Sequence, residues 1–336
     1  IYMYWYEDKN AERDVYVSSR VRLARNFADY PFEPRLDKAG ASEIIEKVKN
    51  DLCKNGEYVF TDFSALPRNE KLSMVERHLV RPEFAEKTTP AAIVENKAEG
   101  VVVMVCEEDH LRIQSIRAGL DLEGAFEACC KAEEKIDAAE KLAYDEKLGY
   151  LTHCPTNLGT GMRASVMMFL PALTLTGRIK GISHQLSALG LTMRGMTGEG
   201  SAARGCLYQF SNCSSMGMTE EEILENLKEA AAKIAETELR LRGELDKRNG
   251  AQLRDRIMRS YGTLKYAYSV TSDEMFRLYS DVRLGICLGY ITDMSAAALD
   301  ELLIGTLPAT LTVSAGKDLD PAERDRLRAE RIHAVL

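Results

Sequence analysis

Long hydrophobic runs are missing from this chain of 336 residues: the longest mainly apolar stretches, 101–105 and 166–175, fall far short of the roughly 18 residues that suggest a bilayer span. No membrane crossing is expected. The first 13 residues are aromatic and acidic and lack the basic flank and apolar stretch of a secretory signal, so the Asn212-Cys213-Ser214 sequon is expected to be without consequence. Basic charge is also in deficit. The 44 Lys and Arg against 52 Asp and Glu leave a formal net charge of −8, which opposes general attraction to nucleic acid or anionic membrane and confines anion binding to a focused pocket. The eight cysteines (Cys53, Cys106, Cys129, Cys130, Cys154, Cys206, Cys213, Cys287) form no CxxC pair, and no histidine accompanies them at ligand spacing. Reduced thiols in a cytoplasmic protein, with no resident metal, are expected. Familiar signatures are absent too: there is no GxxxxGK[ST], no GxGxxG after a strand, no HExxH and no GxSxG elbow.

What is present has a globular composition, 45% hydrophobic and 29% charged, in a chain longer than single cores usually grow, so one large domain and one smaller are expected. Residues 15–31 read as a short strand running into a turn, and 37–53 repeats Ile44, Ile45, Val48 and Leu52 at helical spacing. Gly100 precedes a β-branched run over 101–105, and 111–116 alternates apolar and polar residues, so Glu107-Glu108-Asp109 joins two strands. Leu122, Phe126, Cys129, Ala132 and Ile136 mark an amphipathic helix over 121–142. The Pro, Asn and Gly loop 155–161 leads into 163–170, read as a helix whose start would favour anions. Strands at 191–195 and 206–210 flank a glycine-rich stretch, and a long charged helix runs from 219 to about 247, with Thr219 and Glu222 fitting a capping box. Beyond Asn249-Gly250 the pattern is helical, with pieces near 252–261, 272–284, 295–303 and 321–336. Short loops between strands favour an antiparallel sheet over βαβ units. The expected architecture is therefore α+β: an antiparallel sheet flanked by helices over 1–248, then an all-helical C-terminal domain over 249–336.

Arginines dominate the residues that can carry chemistry. In Ser18-Ser19-Arg20-Val21-Arg22-Leu23-Ala24-Arg25, strand alternation puts Arg20 and Arg22 on one face. Arg112, Arg163 and Arg194 each stand at a strand or helix edge beside an acidic or glycine-rich loop, a place where phosphates are clamped. Taken singly, each is more often a solvated or ion-paired arginine, and composition alone leaves the choice open.

Five motifs in one order decide it. Residues 18–22 match SSRxR, 107–110 EEDH, 154–160 CPTNLGT, 163–167 RASVM and 194–199 RGxxGE. With these the chain resembles the guanidino kinases, and within them the bacterial protein arginine kinases. Two features point to that subfamily. Only 17 residues precede Ser18, leaving no room for the helical domain that small-molecule phosphagen kinases carry there, and Arg324-Asp325-Arg326-Leu327-Arg328-Ala329 resembles the phosphoarginine-binding motif RDxxRA. The chain departs from the family pattern at Cys106, where Asn is common, and at Met196-Thr197, where an aromatic or basic residue is common.

The resemblance implies transfer of the γ-phosphoryl group of ATP, with Mg2+, to arginine side chains of proteins. A guanidinium stays protonated up to a pKa of ~12.5 or above, so its nitrogen cannot attack phosphorus until a proton is withdrawn. By resemblance Glu108 and Glu199 grip the planar fork and take that proton. Cys154 is implied as a thiolate beside the guanidinium, against the alternative of an inert packed thiol. ATP would be held by Ser18, Ser19, Arg20, Val21 and Arg22, by His78 on the adenosine side, by Arg112, and by Arg163, Ala164, Ser165, Val166 and Met167. Arg194, Gly195, Met196, Thr197, Gly198 and Glu199 complete that implied set, while Arg324, Asp325, Arg328 and Ala329 would bind phosphoarginine. The implied partners are protein substrates with exposed arginines, a Clp-type ATPase whose protease receives the marked proteins in stress regulation, an activator protein, and a second copy in a homodimer. A small-molecule guanidino kinase and a phosphoarginine-binding adaptor with a vestigial kinase site stay open as alternatives.

Overall fold

The computed structural model describes residues 4–195 and 203–336. Ten strands are present among them: β1 (Tyr16–Arg25), β2 (Val59–Asp62), β3 (Ala92–Asn96), β4 (Val101–Val105), β5 (Leu111–Ala118), β6 (Tyr144–Asp145), β7 (Gly149–Tyr150), β8 (Met162–Phe169), β9 (Leu191–Gly195) and β10 (Leu207–Asn212). Eight of them form one sheet in the order β2-β3-β4-β5-β1-β8-β10-β9, every neighbouring pair antiparallel, and β6 and β7 form a separate hairpin. The architecture is α+β with an antiparallel sheet, as the strand spacing implies.

Register gives the sheet two unlike faces. Arg22 lies opposite Arg163 on one side and Gln114 on the other, Ala24 opposite Arg112, and Gln209 opposite both Met167 and Arg194. Since opposed residues share a face, Arg20, Arg22, Arg112, Arg163 and Arg194 all project from the same side. The other side carries Val21, Leu23, Ile113, Ala164 and Val166, buried with Ile44 and Val48 of α1 (Lys38–Cys53), Ala125 and Cys129 of α4 (Leu122–Asp137), and Leu227 and Ala231 of α7 (Glu220–Tyr266). Between α1 and α4 lie α2 (Arg68–Glu76) and α3 (Pro82–Ala85), and between α4 and α7 lie α5 (Pro171–Leu175) and α6 (Ile179–Ala188).

One element differs from its sequence reading. Residues 163–170 belong largely to β8, paired with β1 and β10, and form no helix. Met and Ala give the segment helical propensity, but burial on both faces in mid-sheet overrides it. Arg163 therefore projects from a strand, and the anion-favouring helix start expected there does not exist.

The long charged helix begins where expected. Thr219 accepts from the Glu222 amide, and Glu222 accepts from the Thr219 amide at 2.9 Å. It runs on past 247 to Tyr266, and Asn249 is a kink inside it with φ −131 and ψ 25. Next come α8 (Ser272–Cys287), α9 (Ala296–Gly305), α10 (Pro308–Ala315) and α11 (Pro321–His333). Their core, built on Leu278, Tyr279, Val282, Leu299, Leu303 and Ile332, is continuous with Val17, Met167, Phe169 and Leu207 of the sheet. Among the described residues no single helix is long and apolar enough to cross a membrane.

Polar contacts fasten the helices to the sheet. The Glu76 carboxylate, at the end of α2, accepts from the amides of Ala309 (2.9 Å) and Thr310 (2.7 Å) and from the Thr310 hydroxyl (2.8 Å), capping α10 from outside the helix. Asp300 in α9 pairs with Arg283 and, at 3.5 Å, with Arg13, whose carbonyl also accepts from Arg283. Arg242 pairs with Glu238 at 2.7 Å and with Asp14, while Glu238 accepts from the amides of Ala172 and Leu173.

Candidate active site

The arginine face of the sheet forms the floor of a cavity of about 960 Å3, lined by Arg20, Arg22, Arg112, Arg163 and Arg194 together with His78, Arg81, Glu108 and Cys154. That volume suits a nucleotide. The cavity continues to Arg204 and to Ser272, Phe276, Leu307 and Pro308 of the helical half. Burial, with Arg163, Arg112, Arg81 and Arg194 nearby, lowers the Arg20 pKa to about 10, and burial with Arg20 and Arg112 pushes Arg22 well down. Packed cations of this kind are stabilised by an incoming polyanion. Arg20 Nε and Arg112 Nη1 are buried without a hydrogen-bond partner among the described residues.

His78 follows α2 with φ 64, and its carbonyl accepts from Gln114 Nε2 at 3.1 Å, so a sheet side chain holds the loop that presents the ring. Burial lowers its pKa to about 4, which keeps the imidazole neutral at physiological pH. Its Nε2 is buried without a hydrogen-bond partner among the described residues, and Trp5 lies 6.2 Å away, ring to ring.

The acidic residues occupy the turn between β4 and β5. Cys106 donates from its amide to the His110 carbonyl at 2.8 Å and adopts φ 58, a left-handed conformation more natural to Asn. Glu107 is buried against Arg112 Nε at 3.2 Å, whereas Glu108 is part exposed and its Oε2 lies 3.1 Å from Arg112 Nη2 and 3.3 Å from Arg81 Nη1. Asp109 fixes this turn to the cysteine loop: its Oδ1 accepts from Asn26 Nδ2 and from the His153 amide, both at 2.7 Å. His110 accepts at Nδ1 from the Phe27 amide at 3.0 Å, which leaves Nε2 to donate to the Pro31 carbonyl at 2.9 Å. Lys87 donates to the carbonyls of Cys106 and Glu107. Cys154 opens the loop just beyond His153, with Sγ 3.1 Å from Thr156 Oγ1.

Several residues from the motifs stand elsewhere. Val21, Ala164 and Val166 point into the helix-covered core, and Ser19 accepts from the Asp121 amide and donates to the Gly119 carbonyl. None of these four lines the cavity. Ser18 and Met167 lie on the arginine face in a small recess behind His78, Ser165 accepts from Gln209 there at 2.7 Å, and Gly195 ends β9. Met196, Thr197, Gly198 and Glu199 lie outside the described residues. In α11, Arg328 is fully buried and donates to the carbonyls of Thr306 and Val270, to Asp325 and to Ser272 Oγ. Ala329 is buried beside it, and Arg324 donates to the Leu319 carbonyl. Ser272 also lines the cavity, so the hydrogen bonds of Arg328 reach one wall of it.

Sequence reasoning overlooked Arg81, Asn26, Gln114, Arg204 and Gln209. Their partners are far along the chain, and no local pattern marks them.

A sheet of this order with five arginines on one face defines a guanidino phosphotransferase. A lombricine kinase crystal structure shares the fold, with a TM-score of 0.62 and 22% identity over 70% of each chain. The duplicated taurocyamine kinase of Schistosoma mansoni gives 0.61 and 26%, over 72% of this chain and 36% of that one. The family described as ATP:guanido phosphotransferase, C-terminal catalytic domain, matches residues 41–241, and the protein-arginine kinase McsB C-terminal domain matches 250–336. The protein-arginine kinase of Halothermothrix orenii is 42% identical over 99% of this chain and 96% of its own length, and that of Clostridium acetobutylicum is 40% identical over 97% of each. The chain belongs to the protein-arginine kinases, a family of ATP-dependent phosphotransferases.

Proposed function

We propose that this chain transfers the γ-phosphoryl group of ATP to arginine side chains of other proteins. The observation that carries the reading is a cavity with five arginines on its floor and a part-exposed carboxylate, Glu108, among them. The arginines bind the phosphates and spread the charge that develops on the moving group, and Arg20 Nε and Arg112 Nη1 supply donors that have no partner among the described residues. Mg2+, entering with ATP, would offset phosphate charge.

In the reaction the bond from the γ-phosphorus to the β,γ-bridging oxygen breaks and a nitrogen–phosphorus bond forms. The guanidinium proton passes to Glu108, which grips the fork together with Glu199. Cys154 follows His153, whose amide is tied to Asp109 of the acidic turn, and its sulfur would act on the acceptor guanidinium. His78, neutral, faces the adenosine.

The remaining proposals concern the rest of the chain. The catalytic part ends near 248, where the Asn249 kink breaks the long helix, and 249–336 forms the helical domain. That domain makes the homodimer and binds phosphoarginine at Arg324 and Asp325, with buried Arg328 and Ala329 as rigid backing. The protein acts in the cytoplasm in stress regulation, under an activator protein, and passes marked substrates to a Clp-type ATPase.

The test incubates the chain with Mg-ATP and either an unfolded protein or free arginine. Acid-labile phosphate on protein arginines, located by mass spectrometry and reduced ~10²–10⁴-fold in Glu108→Gln, supports the reading. Phosphate on free arginine alone would place the chain with the small-molecule guanidino kinases, and none on either would leave an adaptor.

A further inference from the structure

The carboxylate assigned to the acceptor already holds a guanidinium of the chain's own. Arg81 precedes Pro82 at the start of α3, three residues after His78. Its Nε lies 3.2 Å from Glu83 Oε2, and its Nη1 lies 3.5 Å from Glu107 Oε1 and 3.3 Å from Glu108 Oε2. Burial alone would lower its pKa, but Glu107, Glu83 and Glu108 more than reverse this, so Arg81 has a counter-charge, whereas the largest influences on Arg20 and Arg22 are burial and other arginines.

Arg112 and Arg81 share one oxygen, Glu108 Oε2, on unequal terms. Arg112 rises from β5 in mid-sheet and its side chain is 9% exposed; Arg81 rises from a loop and is 37% exposed. Arg112 is fixed, and Arg81 is the one that can leave. Glu83 is largely exposed and stays within reach of Arg81 when the contact with Glu108 is released. A substrate arginine brings the same planar fork to the same carboxylate, and the two cannot both use it.

We propose that Arg81 is a built-in competitor of the substrate: it occupies Glu108 until an acceptor arginine displaces it, and so sets the affinity an acceptor needs. The inference rests on the assignment of Glu108 to the acceptor. A part-exposed ion pair is weak enough to be displaced during turnover. If Arg81 holds Glu108 in roughly five molecules of six, apparent acceptor affinity is lowered about sixfold.

Steady-state kinetics with Mg-ATP and an unfolded protein acceptor test this in wild type, Arg81→Ser and Arg81→Lys, with thermal unfolding as a check on folding. Arg81→Ser is expected to lower the acceptor KM about 3- to 10-fold with the KM for ATP within about twofold of wild type. Arg81→Lys, which keeps the charge without the fork, should fall between. An acceptor KM that is unchanged or higher in Arg81→Ser overturns the proposal. So does a raised KM for ATP with a tenfold loss of kcat, since Arg81 would then serve the phosphates. Failure of the underlying reading looks different: wild type makes no phosphoarginine, or Glu108→Gln remains active.

Discussion

Two groups of arginines in this chain stand in opposite electrical conditions. On the sheet face, Arg20 and Arg22 have no ion pair among the described residues and neighbour other arginines, which together with burial lowers their pKa values. Under the helices, burial would lower Arg283 as well, but Asp300 and the Tyr279 hydroxyl hold it above its ordinary value, and Arg328 uses each of its nitrogens on a carbonyl, carboxylate or hydroxyl. The residue type is the same, and its partners decide its use. A guanidinium paired with a carboxylate works as a strut, while arginines that crowd one another and weaken their own fold are retained for something that arrives later.

The largest break in this comparison should come from Asp300→Ala, which strands both Arg13 and Arg283 without their carboxylate. A loss of ~3–5 kcal/mol in urea unfolding is expected. If the variant stays within ~1 kcal/mol of wild type, the carboxylate-paired set is not structural. Arg22→Gln should do the reverse. Activity falls ~10²–10³-fold, yet the unfolding midpoint of the nucleotide-free protein does not drop, because a like charge leaves a repelling cluster. A midpoint several degrees lower would erase the distinction. The smallest effect sharpens it: Mg-ATP at a hundred times its Kd should stabilise wild type by ~2.7 kcal/mol in a thermal shift and leave Arg22→Gln nearly unmoved.

How far the sequence reached follows the same physics. Strand alternation put Arg20 and Arg22 on one face because period two survives any packing, and the capping box at Thr219 is local chemistry that context does not alter. The β8 segment misled because burial on both faces removes alternation and leaves only propensity, which for Met and Ala favours the wrong element. The α10 helix went unread because a run of Pro, Ala, Thr, Leu and Val, half buried against α2, shows no helical period, and its cap, Glu76, comes from outside the helix. Within the site, motif residues on the sheet were legible by type, whereas facing was not: Val21, Ala164 and Val166 carry motif letters but serve the core. Arg81 gave no signal at all, since one arginine before a proline marks nothing until the fold brings it to Glu108.

The clasp around Asp300 also sets an order of assembly. Arg283 donates to the carbonyl of Arg13, 270 residues away along the chain. At a synthesis rate of ~5–20 residues per second, the segment around Arg13 leaves the ribosome roughly 15 to 55 s before that partner exists. During that interval its buried-to-be guanidinium and aromatic neighbours are open to chaperones and to wrong contacts. The segment around Arg13 is therefore among the last to find its place, and a nascent chain halted before α9 has its sheet strands but lacks Asp300, the carboxylate of the clasp.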